Sequence, residues 1–120
     1  MYLEKTDTAT LLRAIEALQP GDDDAVMLLF AEQSRPDIPA LIEALNSRGI
    51  AFFGGLFPGL VYSHSRLDKG CILKKFTVAA APFLVRDISS AEFSDWGNIH
   101  LPPAAHRRTA LILVDGLTSG

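Results

Sequence analysis

Cysteine occurs once in the 120-residue sequence, at Cys71, so neither an internal disulfide nor a cysteine-rich zinc site is available. Its setting, Gly70-Cys71-Ile72-Leu73, is apolar and holds no histidine that would activate a thiolate. Cys71 therefore reads as a small buried hydrophobe. Basic residues cluster only at Lys74-Lys75 and Arg107-Arg108, and the net charge is −3. That balance lacks the basic stripe used in nucleic-acid recognition, and both pairs read as solvated charge. No apolar run approaches the roughly 20 residues of a membrane helix. Met1–Asp7 lacks the charged-then-apolar order of a secretory signal. These absences lead to the expectation of a cytoplasmic protein with no membrane span and no nucleic-acid partner.

Metal and catalytic signatures are missing too. His64, His100 and His106 include no pair at helical i, i+4 spacing. Asp22-Asp23-Asp24 lacks the alternating spacing of a calcium loop and reads as a solvated turn. Ser63, His64, Ser65 and Asp68 crowd into one short polar stretch, whereas a catalytic triad needs a rigid, strained support. The expectation is a protein with no catalytic residues, no metal and no cofactor, hence not an enzyme.

What is present is apolar: hydrophobic residues make up 48% of the chain and charged residues 21%, as in a folded domain. The length predicts a single domain, 1–120. Leu11, Leu12, Ile15 and Leu18 share one face of a helix over 8–19, capped by Asp7 or Thr8 and stopped by Pro20-Gly21. Ala25–Ala31 is an unbroken apolar run, the pattern of a strand covered on both faces. A second amphipathic helix over 37–48 carries Ile38, Leu41, Ile42 and Leu45. Asp37 caps it and Gly49 is placed to end it in a left-handed conformation. Ile50–Phe53 is the next strand, joined to the first by a parallel crossover.

Farther on, Leu60–Tyr62 and Cys71–Val78 flank the polar stretch Ser63–Gly70, which predicts a β-hairpin between those two segments. Phe83–Val85 is a candidate short strand, and 90–108 is polar and irregular, with Trp96 expected to close over the core. Thr109–Val114 is again wholly apolar and is expected to join the strands at 25–31 and 50–54 in one sheet. The fold class expected is α/β with α+β character in the middle hairpin: a layered mixed sheet carrying two N-terminal amphipathic helices. No helix-forming segment follows Val114, so the chain reads as the front part of a longer one. The expectation is that its last strand finds cover through a homodimer or under the chain's own helices, and that a longer parent would cover it with its following segment.

The segment Phe52-Phe53-Gly54-Gly55-Leu56-Phe57-Pro58-Gly59-Leu60-Val61-Tyr62 concentrates glycine and aromatics in eleven residues. Glycine is costly inside a strand unless the backbone needs a positive φ or a very close neighbour, and one of Gly54, Gly55 and Gly59 is expected to show this. Gly54 and Gly59 have the separation of glycines in a phosphate loop, but Leu60 and Val61 stand where Lys-Ser/Thr would grip phosphate. What remains is a backbone-rich bend able to hold a small anion or carboxylate, or a bulge that merely permits a turn. Gly54, Gly55, Phe57, Pro58 and Gly59 are thus candidate ligand-binding residues. Asp115 and Gly116, at the carboxyl end of the last apolar run, join them because ligands of open α/β sheets bind outside the strands' carboxyl ends.

Four segments together resemble the N-terminal domain of the FIST family, the F-box and intracellular signal transduction proteins. They are Ala25–Phe30, Phe53–Tyr62, Lys69–Leu73 and Ala110–Leu117, and Gly-Gly-x-Phe-Pro-Gly at 54–59 is the distinctive piece. The resemblance implies a small-molecule-sensing domain of a prokaryotic signal-transduction protein. It also implies a metabolite ligand such as an amino acid and a C-terminal domain beyond this chain. The alternative function is a protein-interaction module that pairs through an exposed apolar sheet face or edge and takes no small ligand.

Overall fold

Ala25 of the first long strand pairs with Ala51 and, on its other side, with Phe76, so residues far apart in sequence meet across one sheet. The computed structural model describes residues 1–84 and 109–113. Met1–Pro82 form one compact unit; of the second, 83–120, the described residues carry no regular secondary structure.

The first unit runs β1 (Tyr2–Leu3), α1 (Thr8–Ala17), β2 (Asp24–Ala31), a 3-10 turn (Glu32–Ser34), α2 (Ile38–Ser47), β3 (Ala51–Phe57), β4 (Leu60–Tyr62), β5 (Ser65–Leu67) and β6 (Cys71–Thr77). The main sheet has the order β1-β6-β2-β3, and β4-β5 form a separate ribbon. β3 is parallel to β2, while β6 is antiparallel to both β2 and β1. This is the α/β class with a mixed sheet and two N-terminal helices that the sequence predicts.

Both helices start as their residues dictate. Asp7 accepts from the Thr10 backbone N–H at 3.0 Å, and Asp37 accepts from that of Ala40 at 3.2 Å. Each carboxylate satisfies a first-turn donor that has no helical partner. α2 closes on Gly49 at φ +65°, with the Gly49 N–H donating to the Asn46 carbonyl and the Ile50 N–H to that of Leu45. That pair of bonds is the Schellman pattern.

Leu11 and Ile15 of α1 and Leu41 and Leu45 of α2 share a buried cluster with Val26, Leu28 and Phe30 of β2 and Cys71 and Leu73 of β6. Phe52 and Leu56 of β3 pack against it. The helices therefore cover one face of the sheet, the face of the even-numbered β2 side chains. On the opposite face Met27, Leu29, Phe53, Phe57, Ile72 and Phe76 are only half-buried. There the Phe53 and Phe76 rings lie 6.3 Å apart and Lys74 Nζ sits 5.4 Å from the Phe76 centroid. Ala25 and Ala31 on that face are buried, so among the described residues β2 is packed by helices on one face and partly covered on the other. An unbroken apolar run is also compatible with one helix-packed face and one half-covered face.

Three further expectations need correction. Cys71–Thr77 does not form a hairpin with Leu60–Tyr62. β4 pairs with β5 instead, through a tight turn at Ser63-His64 in which Ser63 takes φ 58°. β6 lies between β1 and β2, where its side chains reach the core. Nor is Thr109–Leu113 a strand. It has no ladder, and Leu111, Ile112 and Leu113 are exposed by 59%, 64% and 41%. Apolar composition alone does not order a strand without a neighbour to bond its backbone. Phe83 and Leu84 likewise form no strand; Val85, Trp96, His100, His106 and Val114 lie outside the described residues. No helix among the described residues is long and apolar enough to cross a membrane.

Candidate functional site

β2 and β3 end side by side, with Ala31 paired to Phe57, and both chains turn away at that level. From β2 the chain enters the 3-10 turn Glu32–Ser34; from β3 it turns at Pro58-Gly59 into β4. In open α/β sheets ligands bind outside the carboxyl ends of the strands. Gly55, Phe57, Pro58 and Gly59 lie along this end of β3, with Gly54 farther back in the strand. Asp115 and Gly116 lie outside the described residues.

The glycines do different work from a bend. Gly54 and Gly55 are ladder residues opposite Leu28 and Leu29, and neither they nor Gly59 has a positive φ. The strand runs straight through to Phe57, and the turn is confined to Pro58-Gly59. Gly54 is needed for approach: a Cβ there would overlap the Leu28 carbonyl oxygen and lie 2.8 Å from the Leu28 carbonyl carbon. The close neighbour expected among the three glycines is therefore the backbone of β2.

Gly59 is different. The point a Cβ would occupy is 3.4 Å from Arg66 Nε and 3.6 Å from Asp68 Oδ1. Arg66 and Asp68 form an ion pair at 3.6 Å with side chains 77% and 60% exposed. A pair so exposed adds little to stability, on the order of 0–1 kcal/mol. It does place a planar donor and a carboxylate above a backbone that has no side chain of its own.

A set of hydrogen bonds holds the loop that follows this ribbon. Tyr2 donates to the Lys69 carbonyl at 2.9 Å and stacks on Tyr62 with centroids 5.9 Å apart. The Gly70 N–H donates to Ser34 Oγ at 2.8 Å, the Gly70 carbonyl accepts from Ala31 N–H at 3.0 Å, and Thr6 donates to the Ser34 carbonyl at 2.8 Å. Gly70 has φ +91°, and a Cβ would meet Leu3 O and the Tyr2 ring. β1, the 3-10 turn and the loop before β6 are thereby tied together at the carboxyl end of β2.

Arg66, Tyr2 and Ser34 are not singled out by the sequence, and Asp68 enters there only through a triad reading that its short polar stretch does not support. The local signal shared by Arg66 and Asp68 is the alternation Ser65-Arg66-Leu67-Asp68, which marks a short exposed strand. Cys71 is fully buried, and burial pushes its thiol up to about 12, which disfavours the reactive thiolate. Among the described residues no three of His, Cys, Asp or Glu converge as a metal site would require. No protein-family model, no curated protein and no solved structure matches the chain.

Proposed function

We propose that this chain is a small-molecule-sensing domain of a prokaryotic, cytoplasmic signal-transduction protein. Its ligand is received at the carboxyl ends of β2 and β3. The observation that carries the reading is the Pro58-Gly59 turn beside the Arg66–Asp68 pair, at the end of the one parallel strand pair among the described residues. A guanidinium and a carboxylate over bare backbone suit a small polar ligand with a carboxylate and an amine, such as an amino acid. The likeness of 54–59 to the FIST pattern supplies the signalling context, and with it a C-terminal domain as partner. No catalysis is part of this reading.

A thermal-shift screen of amino acids and other small metabolites tests it. A ligand at 100 times its dissociation constant stabilises by about 2.7 kcal/mol. Gly59→Val, which fills the space under Arg66 and Asp68, is expected to abolish the shift while leaving the unliganded melting curve in place. A screen in which no metabolite shifts the melt, or a shift untouched by Gly59→Val, overturns the proposal.

A further inference from the structure

Among the described residues β3 is the outermost strand of the main sheet, and its own sequence carries none of the usual guards of an edge. Ala51-Phe52-Phe53-Gly54-Gly55-Leu56-Phe57 has no charge and no proline, and its only ladder among the described residues is to β2. Gly54, at mid-strand, is exposed. Soluble proteins block such edges with lysine, proline, a bulge or a cover, because a bare edge templates another strand.

The order of side chains selects the occupant. Consider an antiparallel partner of identical sequence, centred on Gly54. Phe53 then stands opposite Gly55 of the second copy, Phe57 opposite Ala51, and Phe52 opposite Leu56. On the half-buried sheet face, each large ring meets a residue with little or no side chain. Aromatic rings laid across strand from glycine cover the bare backbone and pin the register. On the helix-packed face, Phe52 and Leu56, which already pack on the core, extend it across the junction. The strand is uncharged, so self-pairing brings no like charges together.

We propose that two copies of this chain pair through β3 about a two-fold axis at Gly54, making one continuous eight-stranded sheet. An isologous contact of this kind closes after two copies and cannot propagate into a fibre.

Sedimentation equilibrium of the full chain at micromolar concentration is expected to give a dimer. Gly55→Glu removes the seat for Phe53 and is expected to give monomer with an unchanged far-ultraviolet circular dichroism spectrum. A register test stands beside it. Phe53→Cys and Gly55→Cys are prepared separately, mixed and oxidised, the native Cys71 being buried. The mixture is expected to cross-link well above either variant alone. A wild-type chain that stays monomeric, a dimer that survives Gly55→Glu, or a mixture that cross-links no better than the single variants overturns the proposal.

Discussion

Gly54 stands opposite Leu28 in the parallel ladder, so close that a Cβ on it would overlap the Leu28 carbonyl oxygen. The obstacle is backbone and cannot swing aside. Gly54→Ala is therefore expected to destabilise by about 1–3 kcal/mol, toward the upper end because the ladder itself must shift. Gly59→Ala, whose nearest neighbours are the flexible ends of Arg66 and Asp68, should cost well under about 1 kcal/mol. Urea unfolding of the two variants checks the contrast, and equal costs would remove the argument.

Acid should weaken the fold through Asp24 and Asp7. Asp24 accepts from the Gly21 N–H and from the Thr77 hydroxyl, each at 2.9 Å, with Lys75 Nζ at 3.8 Å. These partners hold its carboxyl below the ordinary 3.8, the Gly21 bond most strongly. The Thr10 hydroxyl and then the Thr10 N–H do the same for Asp7. A depressed folded-state value stabilises above the unfolded value, and the effect disappears as pH falls through the folded one. The melting temperature is expected to drop below about pH 4, and Asp24→Asn should flatten that slope. An identical acid slope in the variant would count against it.

Cys71 should be silent toward thiol reagents. Its side chain is buried, and burial raises the thiol from an ordinary 9.0 to about 12. Near neutral pH the native chain is expected to react only as fast as it opens, and at once in denaturant. Because the unfolded thiol ionises first, stability should also decline as pH rises from 9.0 toward about 12. Rapid labelling of the native chain at neutral pH would contradict this.

The Tyr2–Tyr62 stack ties the β4–β5 ribbon to the first strand of the main sheet. A double-mutant cycle of Tyr2→Ala and Tyr62→Ala should return a coupling of about 0.5–1.5 kcal/mol. Strict additivity would mean that the ribbon is held elsewhere.

Local chemistry made the first half of the fold legible. Asp7, Asp37 and Gly49 mark helix ends by the backbone groups they satisfy, and Ala25–Ala31 reads as a strand from composition alone. The parallel pairing of β2 and β3 followed from the crossover between them, but the pairing of the later strands was not legible, because a strand does not encode its neighbour locally. Cys71–Thr77 passes over the adjacent Leu60–Tyr62 and bonds to β2 and β1, since Leu73 and Cys71 complete the core there. Ser65–Leu67 went unseen because its alternation spans only three residues beside a polar turn, too short to stand apart from a loop. The glycines of 54–59 were marked for close approach, and Gly54 shows it. Which backbone it approaches depends on the register with β2, which no local pattern reveals.

The place of β6 has a consequence for the order in which the chain can assemble. A nascent chain that has reached Phe57 holds both helices and the parallel pair, yet β1 and β2 share no ladder, because β6 lies between them. The β1–β6 and β2–β6 ladders join residues dozens of positions apart, so closing the sheet requires long loops to be drawn in before any ladder bond forms. Folding is expected to be slow for this size, with its rate most sensitive to substitutions in Cys71–Thr77 and its partners. Until that segment emerges from the ribosome, the helices pack on β2 and β3 alone, and the part of the core that Cys71 and Leu73 complete stays open.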